Sequence, residues 1–369
     1  MNDIGASPRV SPQTSQAPEP TLRGSPAPLA SCYDVALLDL DGVVYLGQIA
    51  VTGAAQALAS ARERGMRLAF VTNNAARTPE EVAAQLRRLG VPADPGEVIT
   101  SSQAAAHYLA EHLPARARVL VVGAEGLIEA LRERDLVPVL SADDEPAAVV
   151  QGYSPDTNWR MLAEGAIAIQ RGVLWVATNL DATLPSARGP LPGNGSLVAA
   201  LRQATGATPV VTGKPEPTMH RETVERSGAQ HPIVVGDRLD TDVEGARAVG
   251  CPSLLVLTGV TTPALLLQAP ERLRPDYIAT DLGGLLVAHP EPIVDRAGAH
   301  CGTWLASRDG AVLTLRAVTQ GSDRSAGDGL DALRALCAAA WTWSGDGRTV
   351  RVDGADAEAS AELAGLNLA

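Results

Sequence analysis

Val35-Ala36-Leu37-Leu38-Asp39-Leu40-Asp41-Gly42-Val43-Val44-Tyr45 is the stretch on which the reading of this chain turns. Its apolar opening, Val35 to Leu38, reads as a short buried strand. Two acids then follow at i and i+2, which puts Asp39 at the strand tip and Asp41 just beyond it, where both carboxylates can face one pocket. Taken alone the pair has a plainer reading, because Asp-Gly favours turns and Asp often caps helices.

Working outward, similar apolar runs recur at Leu68–Thr72, Val119–Val122, Ala148–Val150, Val173–Ala177, Ile233–Val235 and Leu254–Leu257, with helical patterns between them. Strands alternating with helices predict βαβ units and parallel sheets, an α/β class. In such sheets ligands bind beyond the carboxyl ends of the strands, so the residues after each run carry the functional argument.

Three more of these loops hold polar chemistry. Thr72-Asn73-Asn74-Ala75 offers a hydroxyl and two amides that can hydrogen-bond phosphate oxygens, although Thr72 or Asn74 could equally cap the helix predicted from Thr78-Pro79-Glu80-Glu81 onward. In Thr212-Gly213-Lys214-Pro215 a lysine sits between a Val-Val run and a proline, where its ammonium could serve as a fixed point charge. Val235-Gly236-Asp237-Arg238-Leu239-Asp240-Thr241-Asp242 supplies three acids after a buried strand, with helix capping by Thr241 or Asp242 as the plainer reading.

The 369 residues are enough for two or three domains. Apolar residues make up 46% and charged residues 20%, which fits a globular chain. A net charge of −12 argues against a phosphate-backbone grip on nucleic acid, and no apolar run is long enough to span a membrane. The start carries no basic stretch ahead of an apolar core, so no secretory signal is read there. Cys32, Cys251, Cys301 and Cys337 lie far apart without metal-ligand spacing, and are expected to be buried, inert thiols of a cytoplasmic protein.

Residues 1 to 31 are dense in Pro, Ser and Ala and are expected to form a disordered tail. A second break falls at His289 to Pro292. Beyond it, a hairpin around Asp309-Gly310, a helix over Leu330–Trp343, a strand over Thr349–Val352 and a helix over Ala355–Leu366 predict a small α+β module. No internal repeat is present.

Each loop is weak evidence alone; their joint order is specific. A DxD loop, a Thr-Asn loop, a lysine and an acidic loop, each after a strand, resemble the four motifs of the haloacid dehalogenase superfamily over about residues 34 to 285. About 30 residues separate Asp41 from Thr72 and about 140 separate Thr72 from Lys214, so an inserted unit belongs in the second interval. Ala177-Thr178-Asn179-Leu180-Asp181 and Leu191-Pro192-Gly193-Asn194-Gly195-Ser196 are similar to the NagD and p-nitrophenylphosphatase-like branch. The runs VTNNAART, LPGNGSLVAALR and VVGDRLDTDVEGA, with a C-terminal extension, look most like the bacterial glycerol-3-phosphate phosphatases.

The resemblance implies a Rossmann-like parallel-sheet core (32–102 and 208–292), an α/β cap between the second and third motifs (103–207) and the C-terminal α+β module (293–369). It also implies a magnesium-dependent phosphomonoester hydrolase working through an aspartyl-phosphate on Asp39, with Asp41 as acid and base. Asp39, the main-chain carbonyl of Asp41, and Asp237 would hold Mg2+, with Asp242 orienting metal-bound water. Thr72, Asn73, Asn74 and Lys214 would hold the phosphoryl oxygens. Asn179 and Asp181 could bind the hydroxyls of a small polyol or stabilise the cap hinge.

The expected substrate is glycerol 3-phosphate. Alternatives are another small metabolite (a sugar phosphate, 2-phosphoglycolate or pyridoxal phosphate), a sugar-phosphate mutase, or a binding protein with a decayed site. The second aspartate and the acidic fourth loop argue against carbon–halogen chemistry. In those phosphatases the C-terminal module is acetyltransferase-like; packing or oligomerisation is its expected role here, and a homo-oligomer is left open.

Overall fold

The computed structural model describes residues 22–184, 188–318, 328–342 and 351–369. Six short runs make one all-parallel sheet in the order Tyr277–Ala279, Ser253–Val256, Pro232–Gly236, Val35–Leu38, Arg67–Thr72, Val98–Thr100. From Val35–Leu38 the chain steps outward through two strands, then returns to the other side of Val35–Leu38 and steps outward again. The order therefore reverses between Val35–Leu38 and Pro232–Gly236, the point at which an open α/β sheet leaves a crevice. Asp39 and Asp237 are the first residues beyond those two strands.

Alternation along each strand divides the side chains between two faces. Ala36, Leu38, Phe70, Ile233 and Val235 enter one core with Leu58 and Leu86 from the helices Ala54–Glu63 and Pro79–Arg88. Val35, Leu37, Val71 and Val234 pack on the other face against Met219 and Ala246. The Pro79–Arg88 helix begins with a capping box, Thr78 Oγ1 accepting from Glu81 N and Glu81 Oε2 from Thr78 N. Thr78, not Thr72 or Asn74, caps this helix.

A second parallel sheet, in the order Val210–Val211, Leu174–Ala177, Ala148–Gln151, Arg118–Val122, Val137–Val139, forms the inserted cap. Because Val210–Val211 pairs with Leu174–Ala177, the cap sheet runs past the expected boundary at 207. The third sheet (Ile293–Val294, Ala299–Cys301, Trp304–Asp309, Val312–Ala317, Arg351–Gly354) carries the predicted hairpin, and with the helices Asp331–Trp341 and Ala357–Gly365 makes the α+β module. Residues 343–350, where the expected helix ended and the expected strand began, lie outside the described residues.

The Asp331–Trp341 helix is buried from Ala332 to Trp341 and packs against Leu255 and Ile278 of the core sheet, completing the face that Met219 and Ala246 cover only in part. Arg334 Nη2 donates to Ile278 O at 3.1 Å and Trp341 Nε1 to Leu266 O at 3.3 Å. Module and sheet thus share one core, which matches the packing role expected of it.

Two expectations need correction. Leu22–Ser31 are not a loose tail: Leu22 and Leu29 are buried, Ser25 exchanges backbone hydrogen bonds with His289, and Leu29–Cys32 form one helical turn. Composition hid this, because two leucines among prolines and serines give no periodicity yet suffice to dock a short segment. Residues 1–21 of that expected tail lie outside the described residues. Of the cysteines, Cys301 and Cys337 are buried but Cys32 is exposed and Cys251 only half-buried.

Three of the four edge strands of the first two sheets, Val98–Thr100, Val137–Val139 and Tyr277–Ala279, are absent from the sequence reading. At three residues each, they are too short to display a period. Among the described residues, no helix is long and apolar enough to cross a membrane.

Candidate active site

Parallel strands deliver their following residues to the same edge. Asp39 N donates to Val235 O at 2.8 Å, which anchors the strand tip against its neighbour and leaves the carboxylate facing the crevice. Asp39, Asp237 and Asp242 each present an oxygen within 4.8 Å of the others. Lys214 Nζ lies among them, donating to Asp39 Oδ1 at 2.5 Å and to Asp242 Oδ1 at 2.7 Å.

The buried charges shift one another. Burial raises the Asp39 carboxyl to about 7, Lys214 opposing and Asp242 and Asp237 reinforcing the rise. Asp237 is raised to about 6 by burial and then by Asp242, against the Val260 N–H that it accepts. Burial alone would lower the Lys214 ammonium, but Asp242 and Asp39 outweigh it and hold the group above its ordinary value, hence charged. Beneath them His220 is buried with no partner for either ring nitrogen among the described residues; burial, then Lys214, pushes it down to about 3, so it adds no charge.

Asp41 stands apart from this cluster: it is exposed, and its Oδ1 accepts from Gly47 N at 3.3 Å across the tight turn that follows the strand. The turn itself requires glycine, since Gly42 has φ +92° and a Cβ there would lie 2.5 Å from the Asp237 carboxylate.

At the next strand tip Thr72 is buried, and its Oγ1 accepts from Asn74 N at 3.1 Å, which leaves the hydroxyl hydrogen to donate. Asn74 Oδ1 accepts from Ala76 N at 2.9 Å and so closes a turn. Both amide hydrogens of Asn73 meet protein acceptors, Lys214 O at 3.1 Å and Asp181 Oδ2 at 3.2 Å. Sequence reasoning treated the three as equivalent phosphate donors; among the described residues the Asn73 amide is spent on Lys214 and Asp181, whereas the Thr72 hydroxyl and the Asn74 Nδ2 keep hydrogens to donate.

From the cap, Asn179 is buried and fully engaged. Its Nδ2 donates to Asn73 O at 2.8 Å, and its Oδ1 accepts from Asp181 N at 3.1 Å. Asn179 thus links the cap loop to the core loop at Asn73. Asp181 is partly exposed beside the crevice, its carboxyl raised by burial against the Asn73 hydrogen bond. Pro185, Ser186 and Ala187, in the middle of the expected substrate loop, lie outside the described residues.

Comparison with known proteins agrees with this arrangement. A family model described as haloacid dehalogenase-like hydrolase matches residues 36–137, and a related one matches 211–285. A GCN5-related N-acetyltransferase like domain matches 301–368. The chain is 44% identical over 345 residues to the D-glycerol 3-phosphate phosphatase of Mycobacterium tuberculosis, covering 91% of this chain and 94% of that protein.

This chain belongs to the haloacid dehalogenase-like hydrolases.

Its structure matches that of the glycerol phosphate phosphatase from Mycobacterium tuberculosis in complex with magnesium (TM-score 0.84, 44% identity, 93% of this chain and all of that one). It also matches the p-nitrophenyl phosphatase from Archaeoglobus fulgidus (TM-score 0.64, 34% identity, 69% of this chain and 98% of that one).

The loop after Ser253–Val256 belongs to the site of this haloacid dehalogenase-like hydrolase and was missed from sequence. Thr258 Oγ1 donates to Gly42 O at 2.5 Å, and Val260 N to Asp237 Oδ2 at 2.6 Å. Gly236 is also required, because a Cβ there would lie 2.2 Å from Asp242 Cβ. The available signal was position alone, since Thr258-Gly259-Val260-Thr261 follows a buried strand yet carries no acid or base. Arg238 borders the same mouth, its guanidinium paired with Asp240 at 2.8 and 3.0 Å and its N–H donating to Asp242 Oδ2 at 3.1 Å.

Proposed function

We propose that this chain is a magnesium-dependent phosphomonoester hydrolase whose preferred substrate is glycerol 3-phosphate. The observation that carries the reading is the convergence of Asp39, Asp237 and Asp242 around the Lys214 ammonium at the carboxyl edge of the sheet.

The residues suit a hard divalent cation. Three carboxylates converge, Asp237 Oδ1 is buried without a hydrogen-bond partner among the described residues, and glycines at 42 and 259 leave the Asp237 carboxylate room. Asp39, Asp237 and the main-chain carbonyl of Asp41 would hold magnesium, with Asp242 orienting from behind. When bound, the ion supplies positive charge between two anions that would otherwise repel.

Asp39 attacks phosphorus in line, forming its Oδ–P bond as the P–O bond to the alcohol breaks. Asp41 gives its proton to the departing alkoxide. It then takes one from the water that attacks the aspartyl-phosphate, which releases inorganic phosphate and restores Asp39. Thr72 and Lys214 hold phosphoryl oxygens with preorganised donors, in a site whose charges are already oriented. The cap loop reads the alcohol, and Asp181 is the group there that can accept from a hydroxyl. Ala182 to Leu184 offer no ring to stack a planar base, which favours a compact substrate.

Likeness to a named glycerol 3-phosphate phosphatase along nearly the whole chain supports the substrate assignment. The test is kcat/KM with magnesium over glycerol 3-phosphate, sugar phosphates, 2-phosphoglycolate, pyridoxal phosphate and nucleotides. Glycerol 3-phosphate should lead and Asp39→Asn should abolish turnover; another substrate ahead by about tenfold overturns the assignment.

A further inference from the structure

Asn73 occupies a node that no catalytic group explains. Its Oδ1 accepts from Lys214 N at 2.9 Å while its Nδ2 donates to Lys214 O at 3.1 Å, so one carboxamide clamps both sides of the lysine backbone. The second Nδ2 hydrogen reaches Asp181 Oδ2 in the cap at 3.2 Å. Its main-chain carbonyl accepts from Asn179 Nδ2 at 2.8 Å and from Ser101 Oγ, at the helix leading into the cap, at 2.7 Å.

The space around this clamp is fixed by backbone. A Cβ at Gly213 would lie 2.7 Å from Asn73 Oδ1 and 2.1 Å from Thr178 O. At the far end of the clamped residue, Lys214 Nζ spans Asp39 and Asp242. A continuous series of hydrogen bonds therefore runs from a cap carboxylate, through one core amide, to the lysine beside the nucleophile. The Asp181 link is charge-assisted and reaches from one sheet's loops to the other's, so it exists only while the cap loop is seated.

We infer that Asn73 is a positioning residue, whose hydrogen bond to Asp181 couples seating of the cap loop to placement of Lys214 between Asp39 and Asp242. The inference rests on the phosphatase reading above. Asp181 then acts twice, since besides facing the alcohol it holds the Asn73 amide in the plane that the Lys214 backbone needs. A small displacement of a charge beside a reacting centre is enough to slow turnover substantially.

The experiment is a double-mutant cycle on the full chain with magnesium, using glycerol 3-phosphate and p-nitrophenyl phosphate. Asp181→Ala should lower kcat about tenfold on both substrates, whereas a residue that only binds the alcohol would raise KM for glycerol 3-phosphate and leave kcat on p-nitrophenyl phosphate unchanged. Asn73→Asp sets two carboxylates face to face and should lose about a hundredfold in kcat. Adding Asp181→Asn to it restores a donor and an acceptor with the direction reversed, and should recover at least about fivefold.

Additive losses, or a pure KM effect for Asp181→Ala, overturn the coupling. Should Asn73→Asp fail to fold by its melting curve, Asp181→Ala, at a partly exposed cap position, decides alone. A parent chain that hydrolyses no phosphomonoester refutes the underlying reading and this role with it; an active parent with additive variants refutes the role of Asn73 alone.

Discussion

Gly259 stands so close to Asp237 that a Cβ on the glycine would lie 2.0 Å from the carboxylate oxygen Oδ2. That oxygen already accepts from Val260 N at 2.6 Å, so the carboxylate is held by the backbone of a loop with no titratable group of its own. Gly259→Ala should push Asp237 aside, costing about 1–3 kcal/mol of stability and raising the magnesium concentration for half-maximal activity by about tenfold. Magnesium titration of the variant checks this, and an unchanged half-saturation point counts against it.

Asp237 and Asp242 should separate in the same assay. Among the described residues Asp237 has an oxygen without a partner, whereas both oxygens of Asp242 are occupied, by Lys214 Nζ and by Arg238 N. Asp237→Ala is expected to raise the magnesium requirement more. Asp242→Ala should cost more stability, about 1–3 kcal/mol, because it strips hydrogen bonds from a buried ammonium and an amide. Equal shifts in magnesium dependence would reverse the assignment of ligands.

Deleting the chain through Ser31 should destabilise it. Leu22 and Leu29 are 3% and 0% exposed, and each contributes about 1.5–3 kcal/mol when fully buried. The deletion also removes the Ser25–His289 backbone pair and the Arg23 contacts with Asp276. Melting curves of the deleted and full chains decide the matter; coincident curves would restore the view of a dispensable tail.

A stability effect at acid pH is expected from the ion pair within the C-terminal module that holds Arg334, which itself donates to Ile278 O of the core sheet. Arg334 is 2% exposed and donates to Asp328 Oδ1 at 2.6 Å and Oδ2 at 2.5 Å. Burial alone would raise the Asp328 carboxyl, but Arg334 outweighs it and holds the group below its ordinary value of 3.8. The unfolded chain therefore takes up this proton at higher pH than the folded one, so the contribution is complete above about pH 4 and fades as pH falls through the lowered value. Asp328→Asn should cost about 3 kcal/mol near neutrality and flatten the acid side of the stability profile. Melting temperature against pH for both chains tests this, and parallel acid limbs would refute it.

The convergence of Asp39, Lys214, Asp237 and Asp242 was legible in the sequence because each lies just beyond an apolar run, and parallel strands must release their next residues at one edge, whereas the turn that sets Asp41 apart was not. The alternating pattern likewise determined the α/β class, and the interval between Thr72 and Lys214 announced the inserted cap. Those are local facts, decided by residues within a few positions of one another.

Only the tertiary structure decided how the polar residues divide their donors. Thr72, Asn73 and Asn74 are chemically similar neighbours, and nothing local distinguishes the hydroxyl left free to donate from the amide spent on Lys214 and Asp181 and the carbonyl spent on a turn. Hydrogen-bond partners 108 and 141 residues away settle that choice, and sequence pattern carries no record of them. The docking of Leu22 and Leu29 and the close approach of Gly259 to Asp237 have the same cause. Burial and close packing depend on what the rest of the chain brings alongside, which follows only once the sheets are assembled.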